Sequence, residues 1–291
     1  MTQLIRTGIV GLLLVSPGLA RAQVAPSAQA VTLPGTELHA LQSSLTQSDY
    51  RIYVALPDSY MVGDTTTYPV VYLLDGDFFF AMMVQAYRMM RLLSEEVREA
   101  IFVGIGYPVE SYDDVLVRRF MDQTPTRVEQ SEEQFAGLLG QPVRTGGGPT
   151  FLRALSDEII PFVEASYRAG SERMLVGFSL SSMFGAYVLF HEPQMFQSYL
   201  IGSPSLWWDD ELTFGYEERY ASRHQSLPAR VFISAGSREG TLTTSVQRLA
   251  ATLTQRRYPD LELTAHVFEG ETHFSVIGAT LARGLRVLLP P

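Results

Sequence analysis

One serine of this chain stands where a nucleophile could work. Gly177-Phe178-Ser179-Leu180-Ser181 follows a short apolar run, Met174-Leu175-Val176, and precedes a stretch (182–190) with helical apolar spacing. A strand that turns abruptly into a helix at G-x-S-x-G strains the backbone at the serine and lifts its hydroxyl clear of the sheet. The N–H of Leu180 and the N-terminus of the following helix then face the point where an oxyanion forms during attack on a carbonyl. The last glycine of the pattern is Ser181 here, which is still among the smallest side chains available for a crowded turn. The plainer reading is a chance G-x-S-x-S in a core turn, and only the partners of Ser179 separate the two.

A serine nucleophile needs a base, and the base needs a group to orient it. Of the five histidines, His39 falls in an N-terminal hairpin and His191 ends the helix after Ser179, where it serves as a cap. His224 lies in a polar loop and His266 inside the last strand. His273, in Glu269-Gly-Glu-Thr-His273-Phe274, comes just beyond a strand's C-terminal end, the edge at which open α/β sheets build their sites. A histidine in a loop can also be plain surface. The acid is expected from another strand end, between serine and histidine in the chain. Glu239 is the carboxylate of Gly236-Ser-Arg-Glu239-Gly240, directly after the strand over 230–235. Asp209 and Asp210 compete for the role, and a surface ion pair with Arg238 is the ordinary alternative for Glu239. The second oxyanion donor belongs after the strand over 69–74, at the backbone N–H of Gly76 or Asp77.

The elements that must carry these residues can be read from hydrophobic patterning. Residues 37–45 and 50–56 alternate apolar and polar positions on either side of a turn, a hairpin at a sheet edge. Pro69-Val-Val-Tyr-Leu-Leu74 and Ile101-Phe-Val-Gly-Ile-Gly106 are continuous apolar runs, the pattern of strands covered on both faces. Strands over 198–201, 230–235 and 263–268 alternate with helical stretches, which predicts a three-layer α/β sandwich around a mostly parallel sheet with an antiparallel N-terminal edge. Pro161 predicts a kink within the helix over 151–165. The methionines at 82, 83, 89 and 90 lie in the helix over 78–93, as core filling or as the lining of an acyl pocket. The segment 107–150 reads as a long irregular loop, a cap or lid facing substrate.

At 291 residues, 46% hydrophobic and 18% charged, the chain suits one sizeable domain, expected over 33–291. A formal charge of −9 with no basic cluster argues against nucleic acid as a partner. Arg6, the apolar run 8–15, Pro17-Gly18 and Ala20-Arg21-Ala22 have the order of a secretory signal over 1–22, followed by an Ala/Ser/Pro-rich leader over 23–32. The apolar run is shorter than the roughly 20 residues a membrane-spanning helix needs. Export to the periplasm or beyond follows from this reading. The absence of cysteine excludes disulfides and thiolate metal sites.

Pro69-Val-Val-Tyr-Leu-Leu-Asp-Gly76, Arg119-Phe-Met-Asp-Gln-Thr-Pro-Thr126, Gly177-Phe-Ser-Leu-Ser181, Ser203-Pro-Ser-Leu-Trp-Trp208 and Glu269-Gly-Glu-Thr-His273 keep one order along the chain. Together they resemble the putative-esterase branch of the α/β-hydrolases, which includes enterobactin-type siderophore esterases and, more distantly, feruloyl esterases and S-formylglutathione hydrolase. The resemblance extends from about residue 33 to the C-terminus, and the family's usual G-H-S-x-G-G is replaced here at Phe178, Ser181 and Ser182. It implies an α/β-hydrolase fold, with Ser179 and His273 as nucleophile and base. It also places Arg118 and Arg119 where such relatives meet acidic or catecholate substrates.

Residues and resemblance together predict hydrolysis of a small-molecule carboxylic ester through an acyl-enzyme on Ser179. His273 acts as base and then acid, Glu239 orients it, and no metal or cofactor is required. Phe78, Trp207 and Trp208 are the expected walls of an aryl or apolar acyl pocket, unless they are core. A siderophore trilactone is the specific substrate the resemblance suggests. An acyltransferase, or a non-catalytic binding module on the same scaffold, is the alternative outcome.

Overall fold

The apolar runs that the sequence marks as strands assemble into one sheet whose order puts the strand leading into Ser179 near its centre. The computed structural model describes residues 31–61 and 63–291. The signal segment expected over 1–22 and the leader up to residue 30 lie outside the described residues, and the compact unit that carries the sheet spans Pro34–Pro291. Its eight strands are β1 (Thr36–Ser43), β2 (Ser48–Ala55), β3 (Tyr68–Leu73), β4 (Ile101–Gly106), β5 (Ala169–Phe178), β6 (Ser198–Gly202), β7 (Ala229–Gly236) and β8 (Leu261–Phe268). They are ordered β1-β2-β4-β3-β5-β6-β7-β8. The β1–β2 and β2–β4 pairs are antiparallel, the expected edge, and every other pair is parallel. After β3 the chain moves outward to β4, then returns to the other side of β3 to lay down β5 to β8 in sequence. The order therefore reverses between β3 and β5, and the crevice at the C-terminal ends of those two strands is where an open α/β sheet accommodates a ligand.

Helices cover both faces. α1 (Gly76–Ser94) and α9 (Ile277–Leu288) pack together and against β4 and β6 respectively. A larger apolar cluster joins alternate residues of β3, Tyr68, Val70 and Tyr72, to α4 (Gly148–Ala154), α5 (Ile160–Ser166), α6 (Leu180–His191), α7 (Trp208–Ala221) and α8 (Thr241–Arg256). α6 is apolar on all sides, with every residue from Leu180 to Phe190 buried, because the sheet, α7 and the 112–123 helix surround it. Between α4 and α5 the chain forms a π-helical turn, Leu155–Ile159. This is the predicted distortion at Pro161, whose ring would crowd the Asp157 carbonyl in a regular α-helix. Met83 is fully buried in the core and Met82 and Met89 are about half exposed, so the methionine stripe is helix packing and surface.

The segment 107–150 is not the irregular loop that its composition suggests. It contains α2 (Tyr112–Gln123) and α3 (Glu129–Leu139). Ser111 caps α2, its hydroxyl accepting from Asp114 N at 3.1 Å, and Asp113 and Asp114 sit in the favourable first turn. α2 packs against α4 and α6 and forms a wall beside the elbow.

Candidate active site

Ser179 sits between the last residue of β5 and the first of α6, with φ 62° and ψ −115°. A side chain in that region costs on the order of 1–3 kcal/mol, so the surroundings must hold it there. Ser179 N donates to Gly202 O at 2.8 Å, and Ser205 N donates to Ser179 O at 3.2 Å. Gly177 is required: a Cβ there would lie 2.6 Å from the Ser181 backbone. The two serines that replace the usual glycines have work of their own. Ser181 Oγ accepts from Phe178 N at 2.8 Å and donates to Phe178 O at 2.9 Å, while Ser182 Oγ donates to Gly202 O at 2.8 Å. Both are fully buried, so their hydroxyls are satisfied by the turn itself.

The two loops singled out in the sequence come together on this serine. His273 Nε2 lies 3.0 Å from Ser179 Oγ, and His273 Nδ1 lies 2.7 Å from Glu239 Oε2. Glu239 Oε1 accepts from Ser203 Oγ at 2.8 Å and from Gly236 N. The Glu239 side chain is fully buried. Burial alone would raise its pKa, but the bonds from His273, Gly236 N and Ser203, with the attraction of His273, outweigh that and hold it below the ordinary glutamate value. An ionised carboxylate can only accept, so the Nδ1 of His273 carries the proton and Nε2 is left to accept from the Ser179 hydroxyl. Asp209 and Asp210 sit instead at the start of α7, both at positive φ. Arg238 donates its N–H to Glu271 O.

Two helix N-termini meet beside Ser179. α6 begins at Leu180, and α1 begins at Gly76 beyond the end of the neighbouring strand β3. First-turn N–H groups have no partner inside their own helix, so Leu180 N and Gly76 or Asp77 N are available by position. The Asp77 carboxylate accepts from Tyr53 Oη and Tyr107 N, both at 2.7 Å, which ties the first turn of α1 to β2 and to the residue that follows β4. A Cβ on Gly76 would lie 2.9 Å from the β4 backbone, so that approach needs glycine. Arg119 braces both turns: Nε donates to Asp75 Oδ1 at 2.8 Å and Nη2 to Phe178 O at 3.1 Å.

A cavity of about 400 Å³ opens over the serine. Phe78, Phe79, Tyr112, Leu116, Phe178, Phe274 and Ile277 line it with Arg119, Ser179 and His273. Phe78 and Tyr112 are stacked at 5.6 Å. Of the expected binding residues, Phe78 and Arg119 are in this wall. Arg118 is not: it lies over the Tyr107 ring at 5.6 Å and lines a separate cleft with Asp122 and Arg144. Consecutive helical residues diverge by about 100°, so only one of the two arginines can face the serine. Trp208 is core, 1% exposed, packed with Phe120, Leu180 and Met183, its indole N–H donating to Thr126 Oγ1 at 3.1 Å. Trp207 lies half exposed against Trp208 and is not part of the cavity wall. The sequence reading missed Tyr112, Leu116 and Phe274, and the Ser203 bond to Glu239. Phe274 adjoins His273 and Ser203 opens a noted motif, so both had a signal; Tyr112 and Leu116 required the helix that composition hid. Among the described residues, no group of three or more His, Cys, Asp or Glu side chains could hold a metal ion, and no helix is long and apolar enough to cross a membrane.

A family model described as "Putative esterase" matches residues 43–288. The chain is 28% identical over 275 residues to the ferri-bacillibactin esterase BesA of Bacillus subtilis, covering 91% of this chain and 93% of that protein. It is 27% identical over 285 residues to the siderophore triacetylfusarinine C esterase of Aspergillus fumigatus, covering 88% and 93%. The crystal structure of the BES protein from Bacillus cereus superposes with a TM-score of 0.78 at 28% identity, covering 91% of this chain and 99% of that one.

Proposed function

The chain belongs to the "Putative esterase" family, and from that premise we propose that it is a serine hydrolase of carboxylic esters whose natural substrate is a siderophore ester. The observation that carries the mechanism is the unbroken chain of hydrogen bonds from Glu239 through His273 to a strained Ser179. Ser179 Oγ attacks the carbonyl carbon as its proton passes to His273 Nε2, and the carbonyl electron pair moves onto the oxygen. Leu180 N and the Gly76 or Asp77 N hold that oxyanion. Collapse breaks the C–O bond to the alcohol, which takes the proton from Nε2. Water then repeats the sequence on the acyl-enzyme, releasing the acid and restoring Ser179. Ionised Glu239 keeps His273 in the required tautomer and offsets the charge of the imidazolium.

The siderophore assignment is supported by the two relatives, one named a ferri-bacillibactin esterase and the other a siderophore triacetylfusarinine C esterase, each matched over about nine-tenths of this chain. An aromatic-walled cavity suits an aryl-bearing acyl group. Residues 1–22 act as an export signal in this reading, and N-terminal sequencing of the exported protein should begin at Gln23. The catalytic test combines a fluorophosphonate label with the Ser179→Ala variant. One adduct at Ser179, and a loss of p-nitrophenyl ester turnover by several orders of magnitude in the variant, are expected. An unlabelled Ser179 in the folded protein would point to a binding module instead. A panel of p-nitrophenyl esters, ferri-bacillibactin and triacetylfusarinine C tests the substrate: kcat/KM on both siderophores below that on simple esters would remove the siderophore role while leaving the esterase.

A further inference from the structure

The turn Ser203-Pro204-Ser205 that follows β6 has no part in the mechanism above, yet it touches both ends of the triad. Ser203 takes up φ 43°, donates its N–H to Ser234 O at 2.7 Å and its hydroxyl to Glu239 Oε1 at 2.8 Å. Two residues on, Ser205 donates its N–H to Ser179 O at 3.2 Å, and its hydroxyl lies 3.5 Å from Ser179 Oγ. Ser205 is 5% exposed, so its hydroxyl is held out of bulk water. Among the described residues, Ser179 Oγ thus has two polar side-chain neighbours, His273 Nε2 at 3.0 Å and the Ser205 hydroxyl. His273 removes a proton from that oxygen. Ser205 can give it a hydrogen bond.

We propose that Ser205 is a further catalytic residue, its hydroxyl donating to Ser179 Oγ whenever that oxygen carries alkoxide character. The inference rests on Ser179 being the nucleophile. In acylation the Ser179 O–H bond breaks, its proton goes to Nε2, the Oγ–C bond forms and the carbonyl pair moves to the oxyanion. Ser205 keeps its own proton throughout. In deacylation water gives a proton to Nε2 and bonds to the acyl carbon, and Ser179 Oγ leaves with its electron pair. Ser205 stabilises that developing charge until Nε2 returns the proton. A separation of 3.5 Å is longer than the roughly 2.5–3.0 Å of an ordinary bond between hydroxyls, so the resting contact is slack. Bonds from a hydroxyl to an ionised oxygen contract to about 2.5–2.7 Å and roughly double in strength. The contact is therefore weak in the ground state and strong in the transition state, the difference that raises turnover without tightening binding. The N–H anchor to Ser179 O belongs to the backbone, so a side-chain change at 205 leaves the turn its main tether.

Ser205→Ala, Ser205→Cys and Ser205→Thr are compared with wild type for kcat and KM on p-nitrophenyl butyrate, and for the rate at which a fluorophosphonate labels Ser179. Labelling includes nucleophilic attack and no deacylation, and a packing role has no reason to change it in proportion to kcat. The expected result is a fall of about 10–100-fold in both kcat and labelling rate for the Ala and Cys variants, with KM within about twofold, because a thiol is a weak donor. Ser205→Thr should retain most of both rates. Equal labelling rates in Ala and wild type overturn the proposal, as does a Cys variant with full activity or a loss that appears only in KM. Ser179→Ala separates the levels. If that variant stays active, the underlying mechanism fails; if it is inactive while Ser205→Ala is unimpaired, only the role of Ser205 fails.

Discussion

Replacing Glu239 by glutamine exchanges one carboxylate oxygen for an NH₂ group and, by the geometry of the site, should reverse the direction of the whole relay. Glu239 Oε1 accepts two donors, the Ser203 hydroxyl and Gly236 N–H, while Oε2 faces His273 Nδ1. A glutamine must therefore place its carbonyl oxygen at the first position and its NH₂ at the second, where it confronts an N–H. The imidazole relieves the clash by moving its proton to Nε2. It then donates to Ser179 Oγ and can no longer accept from it. Turnover should fall about 10²–10⁴-fold with KM nearly unchanged, a loss of about 3–5 kcal/mol of transition-state stabilisation. Glu239→Ala should be less damaging than Glu239→Gln, because it removes the orienting group without imposing the wrong tautomer. The assay is kcat and KM on p-nitrophenyl butyrate with the labelling rate of Ser179, in samples matched for thermal unfolding. A glutamine variant within about fivefold of wild type would refute the assignment. So would a larger loss in Asp209→Asn, which would move the acid to the start of α7.

The other two predictions concern the frame around the site. Arg119→Met removes the cation from Asp75, whose side chain is fully buried and would keep only the Gln123 amide at 2.9 Å. Breaking a buried pair in this way costs about 3–5 kcal/mol, so unfolding temperature and esterase activity should drop together; an unfolding temperature within about 2 °C of wild type would show the strut to be dispensable. Asp122 is 4% exposed, and burial pushes its carboxyl up to about 6 against the hydrogen bonds from Tyr50 and Tyr107 and the attraction of Arg118. A folded-state pKa above the unfolded one means that the native protein keeps a proton the unfolded chain has lost, so this site favours folding least once pH has risen through 6. Asp122→Asn should then stabilise the protein by about 2–3 kcal/mol more at pH 8 than at pH 3, read by denaturant unfolding at the two pH values; an equal change at both would refute the shift.

The legible parts of this fold were those whose driving force is local in the chain. β3 and β4 announce themselves as unbroken apolar runs because both their faces are covered, and the edge hairpin alternates because its outer face is not. The meeting of Ser179, His273 and Glu239 followed from order and strand ends, which depend on topology more than on side-chain detail. α2 was opaque for a physical reason. Its buried face includes Asp122 and Gln123, polar residues whose partners, Tyr50 and Asp75, lie 72 and 48 positions away. A helix that spends part of its buried face on polar groups with distant partners has a low mean hydropathy, so its composition reads as loop even though Val115 and Phe120 are buried. The same limit explains Trp208: an aromatic residue in a turn near the site looks alike whether its ring faces substrate or, as here, lies under Leu180 with its N–H on Thr126.

Asp75, Ser179 and Ser203 share a feature no local pattern announces: each has a positive φ (55°, 62° and 43°) although none is glycine. They lie at the C-terminal ends of β3, β5 and β6, three strands adjacent in the sheet. Each such residue costs on the order of 1–3 kcal/mol, so the crevice concentrates a cost that the frame must offset. The offset is visible at every one: Asp75 through Arg119 and Gln123, Ser179 through Gly202 O and Ser205 N, Ser203 through Ser234 O and Glu239. These tethers also cross-link neighbouring strand ends, so no one turn can relax without disturbing the next. In the proposed mechanism the site must meet a developing alkoxide and oxyanion without reorganising, and dipoles fixed in advance are worth most there. Strain spread over three interlocked turns supplies that fixity. It also predicts where tolerance to substitution ends: at the side chains that anchor the turns, as strictly as at the triad.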